Sequence, residues 1–290
     1  MSQQQLKWIY LVVLSLVWGS SFILIKKGLL GLTAMQLGAL RILLAALFLF
    51  LIGFKSLKNI EKKHWKWISV SAFLGTFFPA FLFAYAQTEI DSAIAAILNS
   101  TTPLLTFVLG LSFFGVLFAK RQFLGVMIGL AGTVLLIFSG ASVNPGQNYW
   151  FALLPLLASL MYAFNANIIK YHLHEISAMG IAVSTFVVLF PPTFAILIFS
   201  GFFDSKVLGD EQTWHSFMYV AILAVAGTGL AKVMFNKLIH MSTAVFASSV
   251  TYLIPVVAFM WGFLDGETFG ILQLLAAMVI LVGVYLANRK

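Results

Sequence analysis

The chain has 290 residues, of which 61% are hydrophobic and 9% charged. Soluble domains carry about 25% charged residues, so a water-exposed fold is excluded and an all-α, multi-pass membrane protein is expected. The net charge of +8 is assigned to membrane topology and not to nucleic acid, and the lack of cysteine excludes disulfides, thiolate catalysis and Cys-bound metals.

A spanning helix needs about 20 apolar residues. In chain order the apolar runs fall at 7–26, 33–53, 66–87, 91–118, 122–139, 149–170, 176–200, 214–237, 243–263 and 268–287. None shows the alternating pattern of a membrane barrel. The first run, preceded by Lys7, imitates a signal peptide. It is too long for one, no small-residue cleavage site follows, and the second run begins at once, so it is expected to span.

With ten spans both termini lie on one side. That side collects Lys7, Lys55, Lys58, Lys62, Lys63, Lys66, Lys120, Arg121, Lys170, Lys237, Arg289 and Lys290. The other side has Lys26, Lys27 and Lys206, a split of twelve to three. By the positive-inside rule the termini are expected in the cytoplasm.

Sliding the sequence along itself exposes a repeat. At a shift of 144, "TAM" (33–35) meets "SAM" (177–179), Lys26 meets Lys170, and Trp18 meets Tyr162. At 152, "GT" (75–76) meets "GT" (227–228) and Pro103 meets Pro255. At 151, Gln122 meets Gln273 and Gly132 meets Gly283. The matches keep their order across five spans, so 1–146 and 147–290 are expected to be two copies of one five-helix unit. Five is odd, so the second copy enters the membrane from the opposite face. Many secondary transporters are built from such inverted repeats.

The stretch "NSTTPLLTF" (99–107) places four polar residues and a proline deep in the fourth span. Its repeat partner is "TYLIP" (251–255) in the ninth. Pro103 and Pro255 leave the carbonyls of Asn99 and Thr251 without their helical donors. At that depth freed carbonyls are tolerated where they are buried in protein or face a watery cavity. A central cavity built on both breaks is therefore expected.

Candidate substrate-binding residues follow from helical spacing. Asn99, Thr102 and Thr106 share a face of span 4. Ser248, Thr251 and Tyr252 are the candidates on span 9, Tyr162 and Asn165 on span 6, and Trp18 and Ser21 on span 1. Interhelical hydrogen bonding is the competing role for the Ser, Thr and Asn residues, and Ser100 and Thr101 are expected to pack. Arg41, deep in span 2, suggests function by its cost, and an anionic group on a substrate would satisfy it. Lys232 is expected to snorkel to the surface. No span has a central Asp or Glu, since Glu89, Asp91, Asp265 and Glu267 lie near the outer edge. A carboxylate proton relay is therefore disfavoured. The GxxxG spacing in "GVMIGLAG" (125–132) is read as close packing within the bundle. His172 and His174 lack further ligands, so no metal or cofactor is expected. No HExxH, GxSxG or P-loop pattern occurs.

These features resemble the EamA branch of the drug/metabolite transporter superfamily over nearly the whole chain. The resemblance rests on "WGSSF" (18–22), "LRILLAAL" (40–47), Pro103, the "Q..G......G" pattern at 122–132 and the "GE" pair ending at Glu267. It implies a ten-helix inverted repeat with helices 1, 3, 4, 6, 8 and 9 around a cavity. It also implies export of amino acids or similar small metabolites across a bacterial inner membrane. Trp18 and Arg41 match positions the family tends to keep. The family often has an acidic residue after span 4, where this chain reads "FAKRQ" (118–122). The expected partners are a small-molecule substrate and the lipid bilayer, with oligomeric state open. A carrier of phosphorylated metabolites or nucleotide sugars is the alternative. An intramembrane enzyme or a non-transporting scaffold is the more distant one.

Overall fold

A computed structural model describes residues 3–114, 120–143 and 146–288. Three expectations touch positions outside the described residues: part of "FAKRQ", the junction between the two halves next to 144–145, and the terminal charges Arg289 and Lys290. Among the described residues the chain is helical, with no strand. Eight helices are long and apolar enough to cross a membrane. They are α1 (Gln4–Gly28), α2 (Ala34–Lys58), α3 (Lys62–Ala86) and α4 (Ser92–Phe113) in the first half. Two further helices are α5 (Lys120–Val143) and α10 (Ile271–Asn288), whose described apolar stretches are shorter. The second half adds α6 (Tyr149–His172), α7 (Ala178–Phe199), α8 (Glu211–Met241) and α9 (Ala244–Leu264).

The matched tripeptides of the two halves start corresponding helices. Thr33 Oγ1 accepts from Gln36 N at 3.2 Å, and Gln36 Oε1 accepts from Thr33 N at 3.0 Å, a reciprocal capping box on α2. Ser177 Oγ accepts from Gly180 N at 3.1 Å and caps α7. The repeated "GT" pairs sit in corresponding irregularities. Phe73–Phe77 in α3 and Leu223–Leu230 in α8 are wound as π-helix. Such bulges often occur at functional sites. Both prolines follow breaks. α4 is interrupted between Asn99 and Thr102, and α9 passes through a 3₁₀ turn at Ser249–Tyr252.

α5 and α10 lie antiparallel and close. A Cβ on Gly283 would stand 2.6 Å from Gly129 Cα, and one on Gly132 would stand 2.8 Å from Ile280 N. Only glycine allows this approach, so the GxxxG residues pack inside the bundle.

The two ends of the bundle are tied differently. At the end holding the α1–α2 turn, Lys26 Nζ pairs with Asp265 at 2.8 Å and with Glu267 at 2.9 Å, and Lys27 pairs with Asp265. Ser92 N and Oγ donate to Glu267 Oε1 at 3.0 and 2.6 Å, and Ala93 N donates to Oε2 at 3.2 Å. The carboxylate thus caps the amino end of α4, where the helix dipole favours negative charge. Glu267 lies at the end of the bundle, as its position in the sequence suggests, but it is buried there. Its side chain is 1% exposed. Partial burial works to raise the Asp265 carboxyl, but hydrogen bonds and charge from Lys26 and Lys27 outweigh it and hold the group below its ordinary range.

At the opposite end, Lys170 Nζ donates to the carbonyls of Ile239 (3.2 Å) and Ser242 (2.5 Å). Glu175 there meets Lys63 at 3.3 Å and His64 at 3.2 Å, and Trp67 stacks on His172 at 3.8 Å.

Candidate functional site

A cavity of about 100 Å³ lies in the middle of the bundle, where both π-helical stretches and both proline-linked breaks converge. That is room for several waters or part of a small solute. Its walls come from α1, α2, α3, α4, α6, α8 and α9. The resemblance implied six of these helices, and α2 joins them through Arg41.

The structure brings together Trp18, Arg41, Asn99, Thr102, Tyr162, Asn165 and Ser248 on this cavity. Tyr252 is not among the lining residues, and its neighbour Thr251 is. The reason is the 3₁₀ turn. Its three-residue period sets Ser248 and Thr251 on one side and turns the next position away. Pro103 and Pro255 shape the wall from behind. The Asn99 carbonyl, which Pro103 deprives of its helical donor, accepts from Thr102 Oγ1 at 2.7 Å. Thr106 is buried behind the wall and donates to the Thr102 carbonyl at 2.8 Å. Ser100 and Thr101 turn back on the carbonyls of Ile97 and Leu98 at 2.6 and 2.7 Å.

Lys232 corrects an expectation. It is 6% exposed and does not snorkel; it lines the cavity beside Arg41, which is 8% exposed. Its Nζ donates to Gly75 O at 3.4 Å, a weak bond. Arg41 Nε donates to Thr228 Oγ1 at 2.7 Å. Among the described residues no carboxylate pairs with either cation, and no Asp or Glu lines the cavity. A cation at the centre of a spanning helix costs about 2.5–3.5 kcal/mol on insertion scales, so two such charges without partners mark the site.

The other lining groups form repeat-related pairs. Trp18 and Tyr162, Ser21 and Asn165, Gly75 and Gly227, Thr76 and Thr228, and Asn99 and Thr251 all face the cavity. Trp18 Nε1 donates to Gly227 O at 2.9 Å, which ties α1 to the π-helical stretch of α8. Ser71 Oγ donates to Asn165 Oδ1 at 2.6 Å. A Cβ at Gly75 would overlap the Asn165 side chain, so the glycine keeps the two halves in contact there. The cations break the symmetry. The position matching Arg41 is Thr185, which does not line the cavity, and the position matching Lys232 is Ala80. Spacing on single helices missed Thr76, Thr228 and Lys232, although the repeated "GT" pairs point to the first two.

Comparison with known proteins agrees with the fold. A solved crystal structure superposes with a TM-score of 0.69 at 16% identity, covering 99% of this chain and 97% of the other. The "Uncharacterized inner membrane transporter YedA" of Escherichia coli is 27% identical, covering 96% of this chain and 89% of the relative. The "Uncharacterized transporter YoaV" of Bacillus subtilis is 26% identical, covering 95% and 94%. A "Probable amino-acid metabolite efflux pump" of Escherichia coli is 28% identical, covering 93% and 90%. The profile of the EamA-like transporter family matches twice, at residues 6–138 and 149–289. The chain belongs to the EamA-like transporter family.

Proposed function

We propose that the protein is a secondary exporter of amino acids or similar small metabolites, working by alternating access at the central cavity. All ten apolar helices would span the inner membrane as two inverted five-helix halves, 1–146 and 147–290, with both termini in the cytoplasm. The single observation that carries this reading is the cavity itself. Both halves contribute a π-helical stretch and a proline-linked break to it, and its largely apolar wall carries Arg41, Lys232, Asn99 and Asn165 at a depth where such groups are costly. The matching caps and irregularities support the repeat, and the efflux-pump name of one relative supports the direction. The halves would rock about α3 and α8, whose widened turns are the natural hinges. The lining lacks Asp and Glu, which favours facilitated diffusion or exchange over carboxylate-coupled proton transport.

Flux of an amino-acid panel into proteoliposomes, with and without a pH gradient, tests this. Flux without a gradient is the expected result. Asn99→Ala should lower it at least tenfold while the protein still inserts and purifies as a monodisperse species. Flux indifferent to Asn99→Ala would place the pathway elsewhere. Burial of Arg41 and Lys232 in one cavity favours a second reading, a carrier of phosphorylated metabolites, which flux of a sugar phosphate in the same vesicles would reveal.

A further inference from the structure

The donors and acceptors around the cavity are unequal. Arg41 makes its one hydrogen bond to the described residues through Nε, so both Nη groups are left over. Lys232 has only the 3.4 Å contact to Gly75 O. Asn99 and Asn165 both have their Oδ1 atoms engaged, by Thr102 and Ser159 in the first case and by Ser71 in the second. Their amide Nδ2 groups have no partner among the described residues. Several backbone acceptors, by contrast, already take a donor, although Thr76 Oγ1 has no partner among the described residues. Gly227 O takes the Trp18 indole, Gly75 O takes Lys232, and the Asn99 carbonyl takes Thr102.

We propose that the site binds a small organic anion without an ammonium group, whose carboxylate or phosphate sits between Arg41 and Lys232. This rests on the cavity being the transport site, and within that reading it takes the similar small metabolites in place of the amino acids themselves. The planar Arg41 fork matches two oxygens of such a group, and the Lys232 ammonium supplies the second charge. The asparagine amides complete a shell made of donors. The apolar body lies against Phe22, Phe83 and Phe235, which line the same cavity. A zwitterionic amino acid fits poorly. Its ammonium would enter a site that already holds two cations and is lined by no Asp or Glu among the described residues. The solute that belongs here is an amino acid's carbon skeleton after loss of nitrogen, or a phosphate ester of similar size.

Isothermal titration of the full-length protein in detergent, with compounds matched in shape, tests this. The probes are 4-methylpentanoate, leucine, 3-methylbutylamine and 3-methylbutyl phosphate, repeated with 3-phenylpropanoate and phenylalanine. We expect one of the two anion types to bind at least tenfold more tightly than the matched amino acid, and the amine not to bind. The tighter of carboxylate and phosphate identifies the anion. Arg41→Gln and Lys232→Met should each abolish the preference, and Arg41→Lys should keep part of it. Lys232→Met preserves length and apolar bulk, so it serves if Arg41→Gln fails to fold. Leucine binding as tightly as 4-methylpentanoate, no anion binding at all, or a preference unchanged in Lys232→Met would overturn the anion assignment. If that happens while Asn99→Ala still abolishes amino-acid flux, the transport site stands and only the substrate class falls. If Asn99→Ala leaves flux untouched, the site itself is wrong.

Discussion

Lys26 and Lys170 occupy equivalent positions in the two halves, at opposite ends of the bundle, and they are held by different chemistry. Lys26 meets two carboxylates, one of which also caps α4. Lys170 meets only backbone carbonyls. The repeat supplied both ends with a lysine, and only Lys26 is paired with acids; at the other end Glu175 meets Lys63 and His64 instead of Lys170. An alternating-access carrier must open each end in turn. In the proposed mechanism, opening the Lys26 end would break buried ion pairs and uncap a helix, while opening the Lys170 end would release carbonyl contacts and the more exposed Glu175 pairs. The difference teaches that two repeat-related positions can carry the same residue and still be held with unequal strength.

The largest test of this contrast is Glu267→Gln. It removes a buried charge that serves Lys26, Ser92 and Ala93 at once, and should lower stability by about 3 kcal/mol. Thermal unfolding in detergent measures it, and a loss below about 1 kcal/mol would mean that the cap and the ion pair are unimportant. Next, Lys26→Met should cost more than Lys170→Met, about 1–2 kcal/mol against less than about 1 kcal/mol. Equal losses would erase the asymmetry. Ser92→Ala removes one of three donors to Glu267 and should cost about 1 kcal/mol.

The smallest expected effect concerns pH. The Asp265 carboxyl is held below its ordinary range, so its contribution is present above the unfolded value, near about pH 4, and is lost as pH falls through the folded value. The stability gap between wild type and Asp265→Asn should therefore stay flat from about pH 8 to 5 at roughly 0.5–1 kcal/mol. It should close only below about pH 4. A gap that closes near neutral pH would point to a different titrating group.

Much of this was legible in the sequence, because helices leave periodic and local signals. "TAM" and "SAM" announced corresponding positions of a repeat, which the structure shows to be two N-caps, and Pro103 and Pro255 announced two breaks. Trp18, Asn99, Tyr162 and Asn165 could be placed on cavity-facing sides by spacing alone. What failed depended on contacts between distant segments. Lys232 lies near enough to a helix end to reach the surface, and only its approach to Gly75 on α3 keeps it inside. Glu267 follows a span, as edge acids do, yet its partners are 175 residues away. Thr251 stayed on the cavity and Tyr252 left it because a local 3₁₀ turn, which apolar periodicity does not record, rotated the chain. The π-helical stretches left only the faint trace of the repeated "GT".

The reach of Glu267 also sets an order of events in time. A ribosome delivers Ser92 long before it delivers the carboxylate 175 residues later. Throughout that interval the first amides of α4 wait uncapped. The indole of Trp18 and the guanidinium of Arg41 likewise wait for Gly227 and Thr228. The first helices are therefore made before the partners of Trp18, Arg41 and Ser92 exist. The connection between α9 and α10, which holds Glu267, completes the contacts that Lys26 and Ser92 begin.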